Sequence, residues 1–158
     1  MGEVANQRHA EAPSKAAHVG VASTAGASTA SAHDANQPFL AADVGGTHAR
    51  IGLVAGRADG RRPVDVLHYH RYGCADWASL SAMLQDFVAQ LAQTPHADAA
   101  AGIRDCAVAC AGYVLDDAIV NGNLPWRVSI RDIREGLGIQ RLAVINDFEA
   151  VAYATQFI

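Results

Sequence analysis

The chain has 158 residues, the length of one ordinary domain, and 51 % of them are apolar against 18 % charged, so it can bury a packed core. Its formal net charge of −4 argues against a nucleic-acid surface or an anionic membrane surface as the main partner. The sequence also lacks any apolar stretch of about 20 residues that could span a bilayer.

The N-terminal segment 1–38 differs in composition from the rest of the chain. It contains a low-complexity run of Ala, Ser, Thr and Gly at 22–32 and no aromatic residue. Its apolar side chains are too few to offset the entropy lost on ordering, and the apolar stretch at 19–21 is too short for a signal peptide. We therefore predict a disordered tail at 1–38 and a folded part at 39–158.

The first structured element is a predicted β-hairpin around the octapeptide DVGGTHAR at 43–50, which lies between two apolar runs. Glycines allow successive backbone N–H groups to approach an anion, so Gly45, Gly46 and Thr47 are candidates for binding phosphates. Asp43 could hold Mg²⁺ through water beside those phosphates. An ordinary tight hairpin with a solvated Asp43 is the alternative.

Two familiar nucleotide-binding motifs do not fit this turn. A P-loop needs a lysine after its second glycine, and the only lysine of the chain is Lys15. A dinucleotide fingerprint lies between a strand and a helix, whereas this Gly-Gly pair lies between two strands. The turn is more similar to the phosphate hairpin of the sugar-kinase, actin and Hsp70 superfamily.

The sequence predicts three strands and a helix in the first half of the folded part. Strands are predicted at 39–44, 49–55 and 64–71, with a hairpin turn at 56–60 between the last two. Apolar residues then recur at helical spacing and predict a helix at about 77–93.

Strands and helices alternate in the second half. Ser129 and Asp132 form a predicted capping box for a helix that ends near 136–138. The other predicted elements are a loop at 96–102, a buried strand at 105–111, a short polar hairpin arm at 118–121, a strand at 142–145 and a last helix from Phe148. This order resembles a ribonuclease-H-like (actin-like ATPase) lobe, an α/β fold with a mixed five-stranded sheet, flanking helices and a small inserted hairpin.

The three cysteines are too few and too unevenly placed for a disulfide framework. Cys106 and Cys110 occupy one face of the predicted strand at 105–111, because their spacing is even. No second Cys/His pair has a spacing that suggests a metal site, so we expect buried free thiols. This cysteine usage, which includes Cys74, is typical of a reducing cytosol, and we expect a cytoplasmic protein.

A carboxylate follows the last predicted strand, in the motif INDFEA at 145–150. Ligands of open α/β sheets bind outside the carboxyl ends of the strands, so Asp147 could accept a proton from a substrate hydroxyl. The side-chain amide of Asn146 suits a sugar hydroxyl. The alternative is that both residues only cap the following helix.

A third motif, NGNLPW at 121–126, combines an Asn-Gly turn signal with a proline. Asn123 could present its amide to a polyol, while Trp126 would form an apolar wall or anchor the loop. A structural turn with a packed Trp126 is the alternative.

Together the three motifs resemble the bacterial glucokinases in order and approximate spacing, over about residues 39–158. The resemblance implies ATP- and Mg²⁺-dependent phosphorylation of glucose at its 6-hydroxyl, the first step of glycolysis, with glucose and ATP as partners. It implies that Asp147 is the catalytic base and that Asn123, Asn146 and Asp147 bind the sugar. It further implies that the ATP phosphates and Mg²⁺ face Asp43, Gly45, Gly46 and Thr47, with Asp43 on the metal side.

Two positions depart from the family pattern: His48 replaces the usual Asn, and Tyr113 lies where proline is common. Arg50 matches the motif, and its role is open between a ligand contact and a structural ion pair.

Kinases of this superfamily bind their substrates between two lobes, so we expect this chain to be the first lobe and inactive alone. Oligomeric state is left open, including a homodimer of the full-length enzyme.

A second hypothesis is a non-catalytic sugar-sensing module, related to the sugar-kinase-like repressors. Those proteins carry a DNA-binding helix-turn-helix ahead of the lobe, and residues 1–38 show no helical apolar period. The presence of Asp147 also favours an enzyme.

Overall fold

The computed structural model describes residues 37–57 and 64–155. The predicted tail at 1–38 lies outside these ranges except for its last two residues, and so does most of the predicted turn at 56–60. Within the described ranges, no helix is long and apolar enough to cross a membrane.

Strands and helices follow one another in nearly the predicted order. In chain order the elements are β1 (Phe39–Val44), β2 (His48–Gly56), β3 (Val64–Gly73), a short 3₁₀ helix (Cys74–Asp76), α1 (Leu80–Leu91), α2 (Ala97–Gly102), β4 (Asp105–Cys110), β5 (Tyr113–Leu115), β6 (Ala118–Val120), β7 (Val128–Ser129), α3 (Ile130–Leu137), β8 (Arg141–Ile145) and α4 (Asp147–Ala154).

A mixed five-stranded sheet in the order β3-β2-β1-β4-β8 confirms the predicted fold class. The strands β1, β2 and β3 pair antiparallel, whereas β4 and β8 run parallel to β1. The carboxyl ends of β1, β4 and β8 therefore meet at one edge of the sheet, where α/β proteins bind ligands. The inserted hairpin is also present, and β7 extends it to a three-stranded sheet.

The hydrophobic core lies between one face of the sheet and α1. Alternate strand residues such as Leu40, Ile51 and Val108 point into it and are 0 % exposed. Met83 and Phe87 of α1 pack against them, at the helical spacing that the sequence shows. The opposite face of the sheet is lined mainly by small residues of β1, β2 and β4.

Local capping signals are reliable in this chain. The Ser129 hydroxyl accepts the N–H of Asp132 at 3.1 Å, as the capping box predicts. The helix expected at about 77–93 is shorter, because the Ser79 hydroxyl accepts the N–H of Ala82 and starts it at Leu80.

The predicted loop at 96–102 is wrong, because Ala97–Gly102 form α2. Four of these six residues are alanine, the residue with the highest helix propensity, and His96 O accepts the N–H of Ala100. The segment is too short to show an apolar period, which is why periodicity alone does not reveal it.

Candidate active site

The turn between β1 and β2 is the tight hairpin that the sequence predicts. The N–H of Gly45 donates to His48 O at 3.0 Å, and Gly45, Gly46 and Thr47 are all exposed. We call Gly45–Thr47 the phosphate turn. Exposed backbone in a Gly-Gly turn has the geometry that an anion can approach.

Cys74 stabilises the phosphate turn through two hydrogen bonds. Its N–H donates to Thr47 O at 2.9 Å and its thiol donates to Gly45 O at 3.4 Å. Its side chain is 1 % exposed. The sequence does not indicate this role of Cys74. It arises because β3 pairs with β2 up to the partners Gly73 and His48, so the chain leaves β3 next to the turn.

A second loop, 121–126, packs against the phosphate turn. A Cβ added to Gly46 would lie 3.1 Å from the Cβ of Asn123, which is tighter than an ordinary van der Waals contact, so glycine allows the two segments to approach closely. The two segments line one pocket of about 420 Å³, which includes Thr47 and Leu124. The structure therefore brings together two of the three motifs, with Asn123 and the phosphate turn on one pocket.

The 121–126 loop is fixed at both of its ends. The side-chain amide of Asn121 donates to Ala111 O at 2.9 Å, and its Oδ1 accepts the N–H of Asn123 at 2.8 Å. At the other end, the indole Nε1 of Trp126 donates to Cys74 O at 3.0 Å. Trp126 is thus an anchor of the loop, and Cys74 connects the loop to the phosphate turn.

Asp43 forms an ion pair with Arg50 across β1 and β2, with Nη1 and Oδ2 3.0 Å apart. This contact gives Arg50 a structural partner. Both side chains are about half exposed, at 55 % and 53 %, so the pair adds little to stability. Asp43 therefore remains accessible to a hydrated cation at the end of β1.

Asp43 fits one particular mode of Mg²⁺ binding. Among the described residues, no group of three His, Cys, Asp or Glu side chains could hold a metal ion. A Mg²⁺ ion that accompanies nucleotide phosphates needs only one or two carboxylates, and it retains several waters. One carboxylate beside the phosphate turn meets that need.

Asn146 and Asp147 lie after β8, and both contact the first turn of α4. The N–H of Phe148 donates to Asn146 Oδ1 at 3.0 Å and to Asp147 Oδ1 at 2.9 Å. The helix-capping alternative is thus realised for Asn146. Capping occupies Oδ1 only, so the Nδ2 of Asn146 and the Oδ2 of Asp147 are the atoms that could meet a substrate.

The Cys110 thiol lies at the carboxyl end of β4, between the strands that lead to Asp43 and to Asp147. Burial raises its pKa, a hydrogen bond from Asn121 opposes this effect, and the negative charges of Asp147 and Asp43 raise the pKa further. The strand register shows where the two carboxylates lie: Asp43 of β1 pairs with Ala109 of β4, and Ala109 pairs with Ile145 of β8, two residues before Asp147. The candidate base and the candidate metal ligand are therefore at the same edge of the sheet, although Asp147 does not line the pocket of Gly46 and Asn123.

Cys106 and Cys110 are buried free thiols, as the sequence predicts, and so is Cys74. Asp116 and Asp117 form the hairpin turn between β5 and β6, with φ values of 47° and 57° that aspartate tolerates better than most residues.

The sheet order, the parallel crossovers and the hairpin before them define a lobe of the actin-like ATPase fold that sugar kinases share. A crystal structure of glucokinase from an Antarctic psychrotroph has this fold, with a TM-score of 0.63 and 27 % identity, over 77 % of this chain and 36 % of that one. The glucokinase family model matches residues 40–158, and the chain belongs to the glucokinase family.

Relatives of known sequence agree with this assignment. A glucokinase-like protein of Xylella fastidiosa is 40 % identical over 119 residues, which are 75 % of this chain and 33 % of that protein. A glucokinase of Paramagnetospirillum magneticum is 37 % identical over 123 residues, 78 % of this chain and 35 % of that protein. The chain spans about a third of the length of the curated relatives that it matches.

Proposed function

We propose that the family-length protein carrying this lobe transfers the γ-phosphoryl group of ATP to the 6-hydroxyl of glucose in the cytosol. The observation that carries the proposal is the shared pocket of the phosphate turn and Asn123. Asp43 and Asp147 at the same sheet edge add the two carboxylates that the chemistry needs. The sugar-sensing alternative is not favoured, because the matching family model is that of glucokinase.

The sugar would lie between the 121–126 loop and the end of β8. Asn123 is exposed beside the phosphate turn, so its amide can donate to one sugar hydroxyl and accept from another. Asn146 would donate through Nδ2, since its Oδ1 already accepts from Phe148. Asp147 would accept the proton of the attacking 6-hydroxyl at Oδ2, provided the two oxygens approach to about 2.6–3.2 Å.

The nucleotide phosphates would lie on the phosphate turn. Backbone N–H groups of Gly46 and Thr47 would bind phosphate oxygens, and Asp43 would contact Mg²⁺ through water. Gly45, whose N–H donates to His48 O at 3.0 Å, would allow the close approach of the phosphates to the backbone. When bound, MgATP supplies the phosphoryl group and the charge that compensates its transfer. The chain's own residues contribute positioning and electrostatic stabilisation, which account for most of the catalysis of phosphoryl transfer.

We expect the 158-residue chain alone to lack kinase activity. Holding two reactants in a near-attack geometry is worth about 7–11 kcal/mol, and one lobe cannot hold both or exclude water from the phosphates.

The test is a coupled assay of glucose 6-phosphate formation from glucose and MgATP. It compares the purified, monodisperse chain with a family-length protein that carries residues 39–155 of this chain. We expect turnover of about 1–100 s⁻¹ from the family-length protein only. A family-length protein that folds but does not phosphorylate glucose would contradict the proposed function, and turnover at kinase rates by the chain alone would contradict the single-lobe interpretation.

A further inference from the structure

His48 lies between the phosphate turn and β3. Its Nδ1 is 3.0 Å from Thr47 Oγ1, and its Nε2 is 2.8 Å from Arg71 Nη2. Gly73 is the partner of His48 in the sheet register, and Arg71, two residues away, lies on the same face. The three side chains Arg71, His48 and Thr47 thus form a continuous hydrogen-bonded chain that ends at the turn.

The chemistry of arginine fixes the direction of this chain. A guanidinium group donates hydrogen bonds and accepts none. The His48 Nε2 must therefore accept from Arg71, and the ring N–H must lie on Nδ1. It follows that Nδ1–H donates to Thr47 Oγ1, so the hydroxyl acts as an acceptor in this contact.

This hydrogen-bond direction determines where the hydroxyl proton of Thr47 points. Because Oγ1 accepts from His48, its own O–H points away from the ring. Thr47 is exposed and lines the pocket with Gly46 and Asn123. The other tautomer of His48 would offer a lone pair at Nδ1, which would attract the Thr47 proton and remove this donor from the pocket.

We propose that His48 is a positioning residue: Arg71 fixes its tautomer, and the ring turns the Thr47 hydroxyl outward as a hydrogen-bond donor to a phosphate oxygen. This inference rests on the proposed function, because the phosphate belongs to the nucleotide that the turn would bind. It adds a side-chain donor to the backbone groups of the turn, and it gives His48 and Arg71 a role.

The tautomer can be measured without any ligand. Long-range ¹H–¹⁵N correlation spectra of the 158-residue chain distinguish a protonated Nδ1 from a protonated Nε2 on each histidine. We expect the proton of His48 on Nδ1. A proton on Nε2 would overturn the inference, whatever the chain binds.

Two substitutions distinguish the contribution of His48 Nδ1 from that of Nε2. His48→Asn keeps a donor near the Nδ1 position and loses the contact with Arg71, whereas His48→Gln keeps an acceptor near the Nε2 position and loses the donor to Thr47. The readout is titration of each chain with MgATP, followed by the amide signals of the phosphate turn. We expect parent-like affinity for His48→Asn and about 10-fold weaker affinity for His48→Gln, the size of a lost hydrogen bond to a charged group.

A double substitution shows whether His48 acts through Thr47. In a Thr47→Val background the hydroxyl is absent, so His48→Gln should weaken MgATP binding no further. Retained amide dispersion shows that each variant folds. An equal effect of His48→Gln with and without the hydroxyl would overturn the inference.

The outcomes also distinguish this inference from the function on which it rests. If the parent chain binds MgATP at the turn and His48→Gln binds equally well, the role of His48 is wrong and the phosphate turn stands. If the parent shows no response of the turn amides to MgATP, the phosphate assignment fails and the inference fails with it.

Discussion

The two sides of the candidate site differ in how firmly contacts within this chain fix them. On the phosphate side, Cys74 donates hydrogen bonds to Thr47 O and Gly45 O of the turn. Trp126 of the neighbouring loop donates a hydrogen bond to Cys74 O. On the base side, Asp147 begins α4, and of the eight residues of that helix, all of them described, none is buried. The phosphate side is thus fixed by contacts within this lobe, whereas the base side is held by local hydrogen bonds at one helix end.

This difference indicates which part of the site the lobe can form by itself. Apolar side chains of α4 are largely exposed: Phe148 is 79 %, Val151 63 % and Tyr153 56 % exposed. Such side chains are stabilised by packing, and the described part of this chain leaves these three without a covering surface. We expect the remainder of the family-length protein to cover them and to fix the position of Asp147.

The largest expected effect concerns the base side. In the family-length protein, Asp147→Asn should lower kcat by about 100-fold or more, because the amide cannot accept the proton of the sugar hydroxyl. Glucose affinity should change much less, since the side chain keeps its size and its polar atoms. Steady-state kinetics and glucose titration measure the two quantities separately.

Asp116→Asn is the matched control, because it makes the same chemical change in an exposed hairpin turn. It should leave kcat at the parent value. A near-parent kcat for Asp147→Asn would exclude Asp147 as the base.

A smaller effect is expected at Cys74. Cys74→Ala removes a buried side chain and its hydrogen bond to Gly45 O, so the free energy of unfolding should fall by about 1–3 kcal/mol. Urea denaturation of the chain gives this value, and hydrogen exchange at Gly45 and His48 shows whether the turn loosens.

Cys106→Ala serves as the control, since Cys106 is also a buried free thiol but lies at the far end of β4. Its substitution should lower the free energy of unfolding by a similar amount and leave hydrogen exchange at the turn unchanged. Equal exchange at the turn in both variants would show that Cys74 is only a core residue.

The smallest effect is expected at Trp126. Trp126→Phe keeps a large aromatic side chain but removes the Nε1–H that donates to Cys74 O, a loss of about 1 kcal/mol of stability. The amide signals of the 121–126 loop should then shift, while those of the core strand β4 stay in place. Loop signals identical to those of the parent would indicate that the indole hydrogen bond does not anchor the loop.

Much of the fold could be predicted because its signals are local. The Gly-Gly turn, the helical spacing of α1 and the Ser129 cap each lie within a short window of sequence. The short helix α2 is not predicted from periodicity, because its signal is propensity rather than pattern. The family motifs also named the candidate residues, and the roles of Asp147 and Asn146 stay predictions.

The supports of the site could not be predicted, because they depend on tertiary contacts. Cys74 lies far along the chain from Gly45, and only the pairing of β3 with β2 places it under the turn. The same pairing brings Arg71 to His48, and a crossover through α1 and α2 separates Cys74 from Trp126. No local pattern of residues encodes which strand end will lie beneath a given turn.

Hydrogen exchange of the 158-residue chain compares the two sides of the site most directly. Three amides have nearly equal hydrogen bonds: Cys74 to Thr47 O at 2.9 Å, Gly45 to His48 O at 3.0 Å and Ala150 to Asn146 O at 2.9 Å. If the phosphate side is fixed by this lobe and the base side is not, the first two amides should exchange much more slowly than Ala150. Protection of Ala150 equal to that of Cys74 and Gly45 would contradict the account.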